Sequence, residues 1–426
     1  MWEGAVVTDR RTRPVRRWWS GPLDVEGLAL DAVGRVCSAT RDVAAARDLA
    51  IDVSTTPELV AASFATVDHL RIAGREPEGW APFSGFFEAY DGWVRLHGNY
   101  PHHAAAIAGA LGASSKQELV DAISRLATDE IERRVTAAGG IATVVRTERE
   151  WATHPHGRAT AADPWWTTSV GARRAPLRPL TGGLPLAGVR VLDLTRVIAG
   201  PTCSQVLACL GADVLRVDPP RTPELLEQYL SNGMGKRSVE VDLAVDADIL
   251  RHELLASADV VLLGYRPGAL AAYGLDADTV ATDRPRLVVG SLSAWGEHGP
   301  WRDRRGFDSI VQAATGIADL YGDGSRPGAL PVQALDHATG HVLAAEVISL
   351  LARGHGGVVR TSLLGAAREL LGLPRSAAPE VSLDVPTVTV DSPYGALRTV
   401  PPPILLDGRH ALGDVSAYGS AGLTWR

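Results

Sequence analysis

The chain has 426 residues, 46% of them hydrophobic, and a formal net charge of −7. That length supports two or three domains around a large buried core, and the mild acidic excess gives no basis for nucleic acid or an anionic membrane as partner. No window reaches the roughly 18 uninterrupted apolar residues of a membrane span. The three cysteines, Cys37, Cys203 and Cys209, contain no CxxC pair, are too few for a disulfide framework and fit a reducing cytoplasm.

Residues 1–80 read as an alanine-rich helical extension. Its first segment, "DRRTRPVRRWWS", carries five arginines between Arg10 and Arg17. With no apolar stretch behind them, these read as a solvated terminus rather than a secretory signal or a nucleic-acid arm. Residues 81–157 form a smaller α+β domain. In it "FSGFFEAYDGWVRLHG" (83–98) predicts two strands around an Asp-Gly turn, segments 102–112 and 116–139 are helical, and "IATVVRT" (141–147) is a strand. The Ala-, Arg-, Thr- and Pro-rich stretch 158–183 reads as a linker.

Residues 184–375 carry the clearest architecture. "VRVLDL" (189–194) is a short, nearly all-apolar run, as expected of a strand buried on both faces. The following "AGPTCSQVLACLGA" is helical, with Pro201 in the first turn and Gly211 at the stop. Further strands are expected at 213–218, 237–243, 259–265 and 286–293, with an amphipathic helix at 246–258 and helices at about 308–319 and 336–353. The alternation implies an α/β fold, a mostly parallel Rossmann-like sheet flanked by helices, beside the smaller α+β domain. "GHGG" (354–357) reads as a hairpin turn, and 376–426 as closing strands and a tail.

Several common sites are missing. No GxGxxG follows the first strand, and GxxxxGK[ST], HExxH and GxSxG do not occur. His97, His102, His103, His154 and His156 read as surface histidines in turn-like surroundings, without the Cys or carboxylate partners of a metal site. Asp336, in "PVQALDHATGHVLAAE", stands between a short apolar stretch and a helix. It is placed to cap that helix or to act as a nucleophile.

Five ordered motifs carry a resemblance: "LAGVRVLDLTRVIAGPTCSQVLACLGADVLRVDPP", "GMGKRSVEVDL", "GYRPGALAAYGL", "RPRLVVGSLSAWGEHGPWRDRRGFDSIVQAATGI" and "ALDHATGHVLAAEVISLLARGHGGVVRTSLL". Together, over about 184–372, they resemble the large domain of the class III coenzyme A transferases (the CaiB/BaiF family). The earlier "DGWVRLHGN…AAGGIATVVRTEREWATHP" resembles that family's small domain, which ordinarily follows the large one; here it precedes it, a permutation-like order. The glycine-rich loop of many members is missing.

The resemblance implies a CoA transferase with Asp336 as catalytic nucleophile, no permanently bound cofactor, and acyl-CoA and carboxylic acids as substrates and partners. It implies no nucleic acid, no membrane and no metal, a cytoplasmic location and a homodimer. Arg196, Arg216, Lys236, Arg237 and Arg266, near strand ends, are then expected to contact CoA phosphates and adenine, and Gly200 to let the backbone approach the nucleotide. Phe307 occupies the position of the histidine in racemase members, which disfavours racemisation. Asp308 of the same "GFD" is expected to assist catalysis or cap a helix. Ile198, where formyl-CoA:oxalate transferases carry glutamine, points to an apolar acyl group. The alternatives are an acyl-CoA-binding relative with lyase, isomerase or racemase chemistry, and a non-catalytic CoA-binding subunit.

Overall fold

A computed structural model describes residues 17–375 and 381–426. Arg10, Arg11, Arg13 and Arg16 of the basic terminus lie outside the described residues. The first long helix, α1 (Val25–Ala45), starts at Asp24, whose carboxylate accepts from the Gly27 amide at 2.9 Å. Its apolar stripe, including Leu28, Ala32, Val36 and Val43, enters the main core, so this segment is part of the sheet domain's packing.

Strands Gly85–Ala89, Gly92–Leu96 and Ala142–Val144 form a small antiparallel sheet around the expected Asp-Gly turn. The helical stretch expected at 116–139 is two helices, Lys116–Ile123 and Thr128–Ala137, broken where Ala127 turns to extended backbone.

The large sheet contains β1 (Trp166–Arg173), β2 (Arg190–Leu194), β3 (Asp213–Asp218), β4 (Lys236–Glu240), β5 (Val260–Leu263), β6 (Val288–Ser293) and β7 (His355–Ser362), in the spatial order β1-β7-β6-β5-β2-β3-β4. All neighbours are parallel except β1, which runs antiparallel to β7. The expected linker 158–183 therefore contains an edge strand. "WTTSVGAR" alternates between partly buried and exposed side chains, so it lacks the apolar run that marks the inner strands. The "GHGG" reading is also corrected. Gly354 ends a helix at φ +68°, and Gly356 and Gly357 lie in β7, where a Cβ would meet the backbone of Pro285, Arg286 and Ser169.

Successive residues of the inner strands face opposite cores. Val260 and Leu262 join α1, α2 (Ala199–Cys209) and α4 (Ala334–Ala352), while Val261 and Leu263 join the other face. Helix α4 is buried nearly all round, as its apolar circumference requires. The remaining helices used below are α3 (Asp308–Thr315) and α5 (Leu363–Gly372). Near the C-terminus, strands Leu397–Thr399 and Leu405–Leu406 pair with residues 71–72 and 53–54, and Ala421 donates to Ser238 on edge strand β4. The three cysteines are free and buried, and among the described residues no helix is long and apolar enough to cross a membrane.

Candidate active site

Connections from β2 run outward through β3 to β4, and those from β5 run the other way through β6 to β7. The direction of winding reverses between β2 and β5, which pair from Val191–Val260 to Leu194–Leu263. Loops leaving their carboxyl ends diverge, and such a reversal leaves a crevice there. A cavity of about 370 Å³ occupies it. Arg196 and Val197 after β2, Tyr265 and Arg266 after β5, and Phe307 before α3 line it, with Tyr100 and His103 of the small domain closing one side.

Asp336 also lies on this wall, 6% exposed, in the first turn of α4. It does not cap that helix: Gln333 is the N-cap and makes no side-chain cap bond. The capping falls to Asp308, fully buried at the start of α3. Its Oδ2 accepts from the Asp336 amide at 3.0 Å, the Leu335 amide also donates to it, and Gln312 Nε2 donates to Oδ1 at 2.5 Å. Asp308 thus caps a neighbouring helix, and it takes up two of the α4 amides that could otherwise have stabilised an oxyanion.

Two buried carboxyls side by side cannot both ionise freely. Burial pushes Asp308 up to about 6 against the pull of its hydrogen bonds and of Arg95. Burial and then the Asp308 charge hold Asp336 well above the usual carboxylate range. Once ionised, a poorly solvated, basic carboxylate on a cavity wall can act as an oxygen nucleophile.

The cations divide into two groups. Arg196 and Arg266 line the cavity as expected. Arg196 donates to the Pro223 carbonyl at 2.9 Å and lies 3.7 Å from Glu224. Arg266 is exposed and donates to the Asp303 carbonyl at 3.2 Å. Arg305 joins them on the wall, its charge disfavoured first by burial and then by Arg266.

The other expected contacts lie elsewhere. Arg216 is completely buried between Asp218 at 2.8 Å and Glu224 at 3.0 Å. Lys236 is buried too, donating to Ser204 Oγ at 2.9 Å and the Pro201 carbonyl at 3.1 Å of α2. Arg237 pairs with Asp213 at 2.8 Å at the amino-terminal end of the strands, remote from the cavity. Gly200 faces protein: a Cβ there would stand 2.2 Å from Thr195 Cβ, so the glycine lets α2 pack onto the loop before it.

The surface-histidine expectation holds for His102, which is exposed, and is corrected for His97, His103 and His156. His97 and His103 are buried at 5% and 6%, and the His97 ring stacks on Phe307 with centroids 3.8 Å apart. Burial brings both imidazoles down to about 3, so they are neutral. His156 is fully buried, bonded to the Trp295 carbonyl and the Trp301 amide at 3.0 and 3.1 Å. Among the described residues no His, Cys, Asp or Glu cluster could hold a metal ion.

Residues 186–380 match the family model described as CoA-transferase family III. The match takes in six of the seven strands of the large sheet, all but β1. The chain's relatives include the "Probable fatty acyl-CoA transferase" of Mycobacterium tuberculosis, 38% identical over 192 residues, 41% of this chain and 48% of that protein. The succinyl-CoA–L-malate CoA-transferase beta subunit of Chloroflexus aurantiacus is 39% identical over 155 residues, 33% of this chain and 38% of that one. The succinate–glutarate CoA-transferase of Agrobacterium fabrum is 32% identical over 211 residues, 44% of this chain and 53% of that one. The chain thus spans about half the length, or less, of these relatives. The family III match starts at the strand–helix–strand unit and includes Asp336, while the small-domain residues on the cavity wall lie outside it.

Proposed function

We propose that the protein is a CoA transferase that moves coenzyme A from an acyl-CoA to a carboxylic acid through Asp336. The observation that carries this reading is an uncapping carboxylate raised in basicity by burial and then by Asp308, on the wall of a cavity rimmed by Arg196, Arg266 and Arg305. A carboxylate oxygen of Asp336 attacks the acyl-CoA carbonyl, the C–S bond breaks, and CoA thiolate leaves an aspartyl acyl anhydride. The thiolate then attacks the aspartyl carbonyl carbon, releasing the donor acid as its carboxylate and leaving an aspartyl–CoA thioester. The incoming carboxylate runs both steps in reverse, and no net proton is exchanged. The rim arginines are suited to CoA phosphates by charge-assisted hydrogen bonds. The apolar wall of Val197, Leu292 and Phe307 suits an acyl chain.

A cytoplasmic setting and a homodimer belong to this reading, the first from the buried free thiols and the second from the family resemblance. CoA enters as substrate, and neither nucleic acid nor membrane is a partner. Racemisation has one observation in its favour, the His103 imidazole on the cavity wall, but a histidine held near pKa 3 is too weak a base to remove an α-proton at neutral pH. Incubation with a panel of acyl-CoAs and pooled carboxylic acids tests the proposal. New CoA esters should be found by mass only when both reactants are present. Hydrolysis alone, or deuterium exchange at the α-carbon in heavy water, would replace the reading.

A further inference from the structure

Val197, on the cavity wall, has φ +70°, a left-handed conformation that a β-branched residue adopts only under constraint. The constraint is visible. The Val197 amide donates to Glu224 Oε2 at 2.9 Å, and Arg216 donates to the same oxygen at 3.0 Å. The other oxygen, Oε1, accepts from the Tyr100 hydroxyl and from the Leu225 amide at 3.1 Å. Every side-chain atom of Glu224 is buried. One carboxylate therefore ties together the loop after β2, a buried arginine on β3 and a tyrosine from the small domain.

We propose that Glu224 is a positioning residue for the transfer site, locking the Arg196–Val197 loop in its strained form and, through Tyr100, registering the small domain against it. The inference rests on the transferase reading for its catalytic consequence, though the lock itself does not. It also assigns a role to Arg216. Burial alone would raise the Glu224 carboxyl, and Arg216, then Arg196, outweigh it and hold it below the usual range, so the lock is anionic. Buried against Glu224 at 3.0 Å, Arg216 neutralises this carboxylate.

Glu224→Gln keeps the shape but replaces one acceptor oxygen with an NH₂ group, so it cannot accept from both sides. Tyr100→Phe removes one donor and leaves Arg216 paired, so it folds even if the glutamine variant does not. With the acyl-CoA and acid pair found by the transfer assay, kcat should fall on the order of 100-fold in Glu224→Gln and roughly 5-fold in Tyr100→Phe, with KM for the acyl-CoA within about 3-fold, as misplacement of the bound acyl group relative to Asp336 predicts. Limited trypsin digestion gives a readout independent of turnover. The Arg196–Val197 bond should be cut at least about 10-fold faster in Glu224→Gln than in the wild type, with Tyr100→Phe between. Unchanged cleavage in both variants, or a change in KM alone with kcat intact, would overturn the proposal. A wild type that transfers no CoA while the cleavage order holds would sink the transferase reading and support the lock.

Discussion

Arg266 and Arg216 stand in comparable sequence settings, each a basic residue at a strand of the same parallel sheet, yet their surroundings are opposite. Arg266 follows β5 at the turning point of the winding, where loops part and leave a crevice. Arg216 points from the middle of β3 into protein that supplies Asp218 and Glu224. A cation at the turning point is available to a ligand, and one inside the strand layer organises the protein around it. The distinction is made by register and loop direction rather than by residue type.

The contrast can be broken most severely at Arg216. Its replacement by alanine leaves Asp218 and Glu224 buried without their counter-charge, and should cost about 3–5 kcal/mol of folding stability in a urea titration. A stability unchanged within error, with CoA affinity lost, would move Arg216 back among the ligand contacts. Gly200→Ala sets a methyl against Thr195 and should cost about 1–3 kcal/mol, read by the same titration. Arg266→Gln and Arg305→Gln should each weaken CoA binding by about 1–3 kcal/mol in calorimetry, and shift stability by no more than about 0.5 kcal/mol.

The inner strands were legible because burial on both faces leaves short segments rich in valine and leucine at 189–194, 213–218, 259–265 and 286–293. β1 and β7 were not: one is a half-exposed edge, and the other opens on glycines chosen for close backbone packing rather than for a turn. In the site, Asp336, Arg196 and Arg266 could be located from motif and strand end. Gly200, Arg216, Lys236 and Arg237 could not be sorted from them, because the groups that claim them, Thr195, Glu224, Ser204 and Asp213, are fixed only by tertiary packing and register. Tyr100, His103 and Arg305 were missed for the same reason. The fold brings the small domain, with Tyr100 and His103, onto the crevice beside Arg305.

Asp336 acts on folding through its ionisation, and the sign of that effect is informative. Its carboxyl is raised in the folded protein above its unfolded value. Its contribution to stability is therefore fully present below the unfolded value and is lost as pH rises through the folded one, where a second buried charge forms beside Asp308. Asp336→Asn cannot ionise. Its melting temperature should exceed that of the wild type by a margin that grows from pH 5 to pH 8, and a constant margin would show that the Asp336 carboxyl is not raised in the folded protein.

Trapping the intermediate tests the central claim most directly. Hydroxylamine added during turnover attacks an aspartyl anhydride or thioester and leaves a hydroxamate on the side chain that carried it. Mass analysis of the peptide containing "ALDHATG" should find Asp336 converted only when acyl-CoA is present, and Asp336→Asn should fold, bind CoA and show neither label nor transfer. Transfer that continues in the asparagine variant, or a label on Asp308 instead, would contradict Asp336 as the nucleophile.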